Sequence, residues 1–580
     1  MSQQPPAAPP EDPAGDPTDL LDRARAWAAE DPDPVTKAEL EALIAEGPTA
    51  ELADRFDGTL EFGTAGLRGA LGAGPNRMNR VVVLRAAAGL AAYLRDNGAS
   101  TGKRRADHRG RDSVVIGYDA RHNSDVFARD TAEVMTGAGL KAYVLPRPLP
   151  TPLLAFAIRD LGCVAGVMVT ASHNPPEDNG YKVYLGDGSQ IVPPADAEIA
   201  DAIAAVGPVA DIPRPDAGSG QEADIEVVGD EILDRYLRTV VDLAGGGPRD
   251  LKIVYTPLHG VGGTTVATAL KLAGFDEPHV ATAQAEPDPD FPTVSFPNPE
   301  EPGAMDLALA LAEEVDADIV VANDPDADRC AVALPGPHGW QMLRGDEVGA
   351  LLAQHLLKLR REGVYATSIV SSSLLGKMAV AEKQLYAETL TGFKWIGRVK
   401  DLAFGYEEAL GYCVDPTHVK DKDGVSALVM VCDIAARAKA SGRTLRDLLD
   451  DIARIHGLHA TDQLSVRMDD IAAIPAVVDR LRDQPPTSLG GLEVIGVDDL
   501  SLGSKNLPPT IGLRFRLADD CRVIVRPSGT EPKIKCYLEV VVPVEESSKG
   551  DGTDEVDAAR ISAVGRLDAI RSDLQLAAGL

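Results

Sequence analysis

Short β-branched runs recur along the chain: "SVVIGYDARHNS", "KAYVLP", "CVAGVMVTASHN", "LKIVYTPLHGVGG", "ADIVVANDPDADR" and "TSIVSSS". Each is nearly continuous in apolar residues and then breaks into a polar or glycine-rich loop. Between many of them lie Ala/Leu-rich stretches with helical spacing. Continuous rather than alternating apolar strands predict mixed or parallel sheets covered by helices on both faces, an α/β fold. In such sheets ligands bind beyond the carboxyl ends of the strands, so the polar loops are where chemistry belongs. From about Thr487 the pattern shifts to shorter strands and turns around a polar insertion, "EESSKGDGTDE", which predicts a smaller α+β domain. Residues 1–18, rich in Pro, Ala, Asp and Gln, are expected to be a disordered tail. "TGKRRADHRGRD" reads as a solvated basic insertion, and Gly207–Asp224, Leu334–Trp340 and Gly457–Gln463 read as linkers.

Composition narrows the function. At roughly 100–200 residues per domain, a chain of 580 residues holds three to five domains. Apolar residues make up 44% and aromatics only 4%, so the cores must be aliphatic. A net charge of −32 disfavours nucleic acid and anionic membranes as partners, and obliges an anionic substrate to find local cationic pockets. The cysteines (Cys163, Cys330, Cys413, Cys432, Cys521, Cys536) are scattered and form no CxxC pair. They read as reduced core thiols of a cytoplasmic protein rather than zinc ligands. The acidic, Pro-rich start does not resemble a signal peptide, and no apolar run reaches the roughly 18 residues of a membrane span.

Several loops carry candidate chemistry. In "NDPDADR", Asp324, Asp326 and Asp328 follow a buried strand directly. Their mutual repulsion is relieved either by solvent, as an acidic turn, or by a hard cation such as Mg²⁺, Mn²⁺ or Ca²⁺. Arg329 beside them offers a guanidinium fork. "RPSGTEPKIK" follows another strand and supplies Arg526, Ser528, Gly529, Thr530 and Lys533, a set suited to a phosphate dianion or to an ordinary turn; it is not a Walker loop. Glu407 and Glu408, adjacent near a Gly-rich bend, suit vicinal sugar hydroxyls or a solvated helix start. Lys394, among apolar residues in "GFKWIG", needs a buried partner. Ser172 stands between two apolar runs in "VMVTASHNPPEDNGYKVY". A Ser-His-Asp triad does not fit: neighbours Ser172 and His173 would face opposite ways in an extended segment, and no GxSxG elbow is present. Ser172 is then a turn or cap residue, or a group acting with a metal and a cation.

Taken in order, "TASHNP" with "NGYK", "DPDADR", "GYEEALGY" and "RPSGTEPK" resemble the α-D-phosphohexomutase superfamily. "FGTAGLRG", "GFKWIG" and "DKDGVSA" look most like its phosphoglucomutase/phosphopentomutase branch. The resemblance implies four domains around a central cleft, three similar α/β units and a smaller α+β one. With the linkers above, these fall at 19–217, 218–338, 339–462 and 463–580. It implies that Ser172 carries a phosphoryl group, and that Asp324, Asp326 and Asp328 bind one Mg²⁺ together with a phosphoserine oxygen. Arg526, Ser528, Gly529, Thr530 and Lys533 would hold the non-reacting phosphate. Glu407, with Glu408 and Lys394, would meet the sugar. Arg68, Lys182 and Arg329 would lie at the reacting phosphoryl group, with Lys182 the general base if Mg²⁺ and Arg68 depress its pKa. His173, Asn174 and His259 would shape loops. The implied activity interconverts a sugar 1-phosphate and 6-phosphate, glucose favoured, with a sugar bisphosphate as activator, in a monomer or homodimer. Mannose or ribose phosphates are alternative substrates, and a Mg²⁺-dependent serine phosphatase is the rival class. In many relatives a serine and a histidine stand where this chain has Ala409 and Tyr412, which puts two sugar contacts in question.

Overall fold

The computed structural model describes residues 17–97, 112–215, 224–468, 473–505, 507–528, 533–544 and 554–580. Most of the expected tail, most of the basic insertion, part of the stretch 207–224 and most of the polar insertion near 545–555 lie outside the described residues. Helix Pro17–Glu30 already includes the last two residues assigned to the tail.

Four sheets follow one another along the chain. In the first, Ser113–Tyr118 pairs in parallel with Ala165–Val169 and Lys141–Val144, and Asp178–Leu185 and Leu67–Ala70 add antiparallel strands on one side. In the second, Ile253–Thr256 and Ile319–Ala322 are parallel and Ala331–Gly336 runs against them. In the third, Val364–Ser368 is parallel to Leu385–Thr389 and Leu402–Glu407, and Gly411–Cys413 is antiparallel. The fourth is antiparallel throughout, with Arg522–Pro527 beside Lys533–Val542. Mixed α/β units with a C-terminal α+β unit are therefore present.

One device repeats in all four. A buried strand ends, the chain makes a polar loop, and the next strand returns antiparallel beside it. The register closes at Val169↔Tyr181, Ala322↔Ala331, Glu407↔Gly411 and Pro527↔Ile534. The serine loop, the aspartate loop, the acidic sugar-type loop and the "RPSGTEPK" loop are these reversals. Each is anchored at both ends by ladder hydrogen bonds.

Three expectations about connections need correction. Leu334–Trp340 is a hairpin of the second sheet, with Leu334 opposite Gln341 and Gly336 opposite Gly339. Gly457–Gln463 is mostly the strand Leu458–Arg467, which pairs along its length with Lys533–Val542 at the edge of the fourth sheet. An edge strand buries one face only, so its sequence looks polar enough to pass for a linker. Ile225–Val227, past the composition break at 217, joins the first sheet beside Lys141–Val144.

One aliphatic core runs through the second and third units and takes in Leu153, Phe156 and Met168 of the first. The fourth unit has its own core, including Phe515, Ile534 and Leu567. It meets the third through a small cluster of Ile369, Val370, Leu500, Ile524 and Tyr537. All the cysteines are buried and free, and burial pushes the thiols of Cys163 and Cys536 up to about 12. Among the described residues no helix is long and apolar enough to cross a membrane.

Candidate active site

The serine loop departs from extended backbone at Ser172, whose φ is 53°. This left-handed turn, uncommon for a non-glycine residue, overturns the expectation that Ser172 and His173 face apart. Ser172 Oγ lies 3.1 Å from His173 Nδ1 and donates to Asp324 Oδ2 at 2.7 Å. No helix follows it, which removes the cap reading. Its own N–H donates to Thr170 Oγ1 at 2.8 Å. The loop is gripped by a residue the sequence reading did not single out. Arg121, 4% exposed, donates to the carbonyls of Ser172, Asn174, Pro175 and Asp178. Only the polar end of "SVVIGYDARHNS" hinted at it. Arg68 Nη1 donates to Asn174 Oδ1 at 3.1 Å. Burial, with Arg329 and Arg68 nearby, holds the His173 ring well below its ordinary pKa, so it is neutral.

The aspartate loop is pressed between two glycine loops. A Cβ at Gly260 would lie 2.3 Å from Pro325 Cα, and one at Gly424 2.2 Å from the Arg329 carbonyl. His259 takes part in the first: its φ is 57°, and its Nε2 lies 2.8 Å from Thr293 Oγ1. Asp324, Asp326 and Asp328 are buried, each with a carboxylate oxygen within 4.8 Å of the others. Asp326 Oδ2 accepts from Lys182 Nζ at 2.7 Å and from Thr151 Oγ1 at 2.7 Å. Asp328 Oδ2 is 3.3 Å from Lys182 Nζ and 3.2 Å from Lys422 Nζ. Yet Asp326 Oδ1 and Asp328 Oδ1 are buried with no hydrogen-bond partner. Burying a carboxylate oxygen unpaired is costly, and a hard cation removes that cost, so this all-oxygen set fits Mg²⁺. Burial and the two neighbouring carboxylates raise Asp324 well above its ordinary range; Asp326, despite burial, is held below by Lys182.

Lys182 lies among the carboxylates that would hold the cation. Burial alone would lower it, but Asp326 and Asp328 outweigh burial and hold it above its ordinary value, as an ammonium. Lys422, from "DKDGVSA", is a second cation at the cluster that the sequence reading left without a role. Arg329 Nε stands 3.8 Å from Asp324 Oδ2 and 3.9 Å from Asp328 Oδ1, and Nη1 stands 3.9 Å from Glu300.

The adjacent acids of the third unit face apart, as strand geometry requires. Glu407 Oε1 accepts the Gly392 N–H at 2.6 Å. Glu408 Oε2 accepts from Ser368 Oγ at 3.1 Å and Ser371 Oγ at 3.0 Å, and burial with Glu407 raises it to about 7. Lys394 bonds the half-buried Thr64 of the first unit. Tyr412 does not stand at the sugar bend: it is fully buried and its phenol donates to the Gly345 carbonyl at 3.1 Å. In the fourth unit Ser528 N–H donates to the Lys533 carbonyl at 2.8 Å, closing a hairpin that begins at Arg526. Gly529 and Thr530 lie outside the described residues.

The four units match the phosphoglucomutase/phosphomannomutase domains: alpha/beta/alpha domain I over residues 59–208, II over 234–336, III over 344–455, and the C-terminal domain over 464–549. The chain belongs to this family. As a member of the phosphoglucomutase/phosphomannomutase family it is an enzyme of the phosphosugar-mutase class. It is 46% identical to a probable phosphomannomutase of Haemophilus influenzae, over 84% of this chain and 96% of the relative. It is 36% identical to a phosphoglucomutase of Staphylococcus epidermidis (83% and 90%), and 34% identical to a phosphopentomutase of Mus musculus (92% and 92%). Among solved structures, a putative phosphomannomutase from Thermus thermophilus superposes with a TM-score of 0.64 at 25% identity, over 88% of this chain and 98% of that one.

Proposed function

We propose that Ser172 is the phosphoryl carrier of a sugar-phosphate mutase, with Mg²⁺ held by Asp324, Asp326 and Asp328. The observation that carries this reading is the 2.7 Å contact between Ser172 Oγ and Asp324, made across two units beside two carboxylate oxygens that lack partners. Mg²⁺, when bound there, would neutralise charge on the transferring group. Lys182, Lys422, Arg68 and Arg329 surround the same point as fixed cations, the arrangement phosphoryl transfer uses for positioning and charge stabilisation. In the forward step the Oγ–P bond of phosphoserine 172 breaks, a P–O bond forms to the free hydroxyl of the sugar monophosphate, and the proton that hydroxyl loses is balanced by the one the departing Ser172 oxygen gains. The bisphosphate turns in the cleft, and its other phosphoryl returns to Ser172. In that return the Ser172 hydroxyl loses its proton, with Asp324 and the neutral His173 both within hydrogen-bonding distance of Oγ. The loop from Arg526 to Lys533 would hold the idle phosphate, and Glu407 the sugar hydroxyls. A serine phosphatase would have no use for that second phosphate site.

Ser172→Ala is expected to abolish turnover with the protein still folded. Intact-mass spectrometry should find a phosphate-sized increment on active wild-type enzyme and none on the variant; a variant with wild-type turnover sinks the assignment.

Glucose 1-phosphate is ranked first among substrates, with mannose and ribose 1-phosphates as competing ones. Ala409 presents no hydroxyl at the bend, and a site with few fixed hydrogen bonds discriminates weakly between similar sugars. The relatives named above act on all three sugar classes by name, so the ranking rests on a panel assay. A kcat/KM for ribose 1-phosphate more than about tenfold above that for glucose 1-phosphate, near 1.4 kcal/mol, would reverse it.

A further inference from the structure

The serine loop is held from outside its own unit. Arg121, which collects the carbonyls of that loop, lies with its guanidinium carbon 4.9 Å from the centroid of the Phe291 ring. Phe291 belongs to the long connection between Gln284 and Met305 in the second unit. It is 2% exposed and its φ is 44°, a conformation rare for a bulky residue and kept only where the surroundings over-determine it. Here they do. Phe291 N–H donates to the Asp288 carbonyl at 3.3 Å, Asp288 N–H to the His259 carbonyl at 3.0 Å, and Val294 N–H to the Phe291 carbonyl at 3.0 Å. Thr293 Oγ1 is bonded by His259 Nε2 at 2.8 Å and by Gln284 Nε2 at 3.0 Å. The His259 ring meets Phe291 edge-on, 6.5 Å away. His122 Nε2, next to Arg121, lies 2.7 Å from Asp290 Oδ1 and ties the same two segments at the surface.

We propose that Phe291 and Arg121 form a positioning pair for phosphoryl transfer, through which the second unit fixes the geometry of the serine loop in the first. Arg121 spends its terminal N–H groups on neutral carbonyls, and its Nε, which has no hydrogen-bond partner, meets Asp119 as an ion pair at 3.4 Å. A guanidinium so desolvated gains from an aromatic face laid against it. Phe291 supplies that face, and the backbone strain at Phe291 is what aims the ring. With the ring lost, the guanidinium tilts and the carbonyls of Ser172 and Asn174 are released. Ser172 then leaves its left-handed conformation and Oγ moves relative to the aspartate loop, which carries the other half of the reacting site. Small misplacements of reacting groups cost rate out of proportion to their size. The sugar and distal-phosphate loops belong to the third and fourth units, so substrate binding is untouched.

This inference rests on Ser172 being the phosphoryl carrier. The test compares wild type with Phe291→Leu, which keeps volume but loses the π face, Phe291→Tyr, which keeps the face, and Arg121→Lys, which keeps the charge but not the fork. Each is checked by thermal melting, by intact mass after incubation with glucose 1,6-bisphosphate, and by steady-state kinetics. The expected result is a kcat lower by about tenfold or more in Phe291→Leu and Arg121→Lys, with KM within about twofold of wild type and the variants folded. Phe291→Tyr should recover most of kcat. Equal kcat in wild type and Phe291→Leu overturns the pair. So does a Phe291→Tyr no better than Phe291→Leu, or a loss confined to KM. If Phe291→Leu does not fold, Arg121→Lys alone decides, by the same kcat criterion. Absence of phosphate on Ser172 in active wild type overturns the underlying reading instead, and is recognised by that separate signal.

Discussion

At the residue scale the site is organised by unpaired charge. Asp326 shows this within the aspartate cluster. One oxygen takes the Lys182 ammonium and the Thr151 hydroxyl, and the other is buried with no hydrogen-bond partner. Asp326→Asn keeps the shape but removes one negative charge from the proposed Mg²⁺ donors and leaves Lys182 with less to balance it. Turnover is expected to fall at least about a hundredfold, roughly 2.7 kcal/mol, and the Mg²⁺ concentration for half-maximal activity to rise. A Mg²⁺ titration of activity alongside calorimetric metal binding checks both. Unchanged activity in excess chelator would remove the metal from the site.

At the element scale the strand-reversal-strand device explains how short polar loops keep fixed geometry, and it bears on the ionisation of Glu408. Leu402–Glu407 ends with Glu407 and Glu408 on opposite sides. Glu407 meets the backbone of the neighbouring loop, whereas Glu408 is turned into the "SSS" segment between Ser368 and Ser371. Burial raises Glu408 from 4.5 to about 7. The folded protein thus binds that proton more tightly than the unfolded chain. The stabilising contribution is full below about pH 4.5 and is lost as pH rises through about 7. Glu408→Gln carries no such slope and keeps an acceptor for the two serines. Its melting temperature relative to wild type should therefore be higher near pH 8 than near pH 5, measured by calorimetry in matched buffers. A difference that does not change with pH would show that Glu408 is ionised in the folded protein throughout.

At the scale of the whole molecule, the fourth unit is joined to the rest by a small apolar cluster and a dense polar one. Glu539, 3% exposed, is the centre of the second. It accepts from Arg522 Nε at 2.6 Å, Ser372 Oγ at 2.6 Å, the Ser373 N–H at 2.8 Å and His459 Nδ1 at 3.0 Å. Arg522 also reaches Glu388 of the third unit at 3.2 Å. Because Ser371 of the same serine run holds Glu408, the seam lies one residue from the contact to the acidic loop at Glu407–Glu408. Glu539→Ala leaves a buried guanidinium short of its main counter-charge, a change that costs about 3 kcal/mol or more. Hydrogen exchange is expected to rise in the fourth unit and along Ser371–Leu374 well before it rises in the first. Uniform acceleration across all four units would refute a local seam.

The sequence by itself determined the architecture class and the chemistry of the loops. Continuous β-branched runs cannot be satisfied except in sheets covered on both faces, and acids, cations and hydroxyls at strand ends are legible as residue types. Hence Ser172, the three aspartates, Arg329 and Lys394 could be named before any coordinate. What it could not contain is the set of distances between loops that lie far apart along the chain. The grip of Arg121 on the serine loop, the Lys422 ammonium beside Asp328 and the Phe291 ring under Arg121 each join segments separated by long stretches of chain. The edge strand Leu458–Arg467 was misread for the related reason that local polarity does not reveal which face is buried. Charge balance was decided at the same level: Lys182 meets Asp326 and Asp328 only because these aspartates of another unit fold against it.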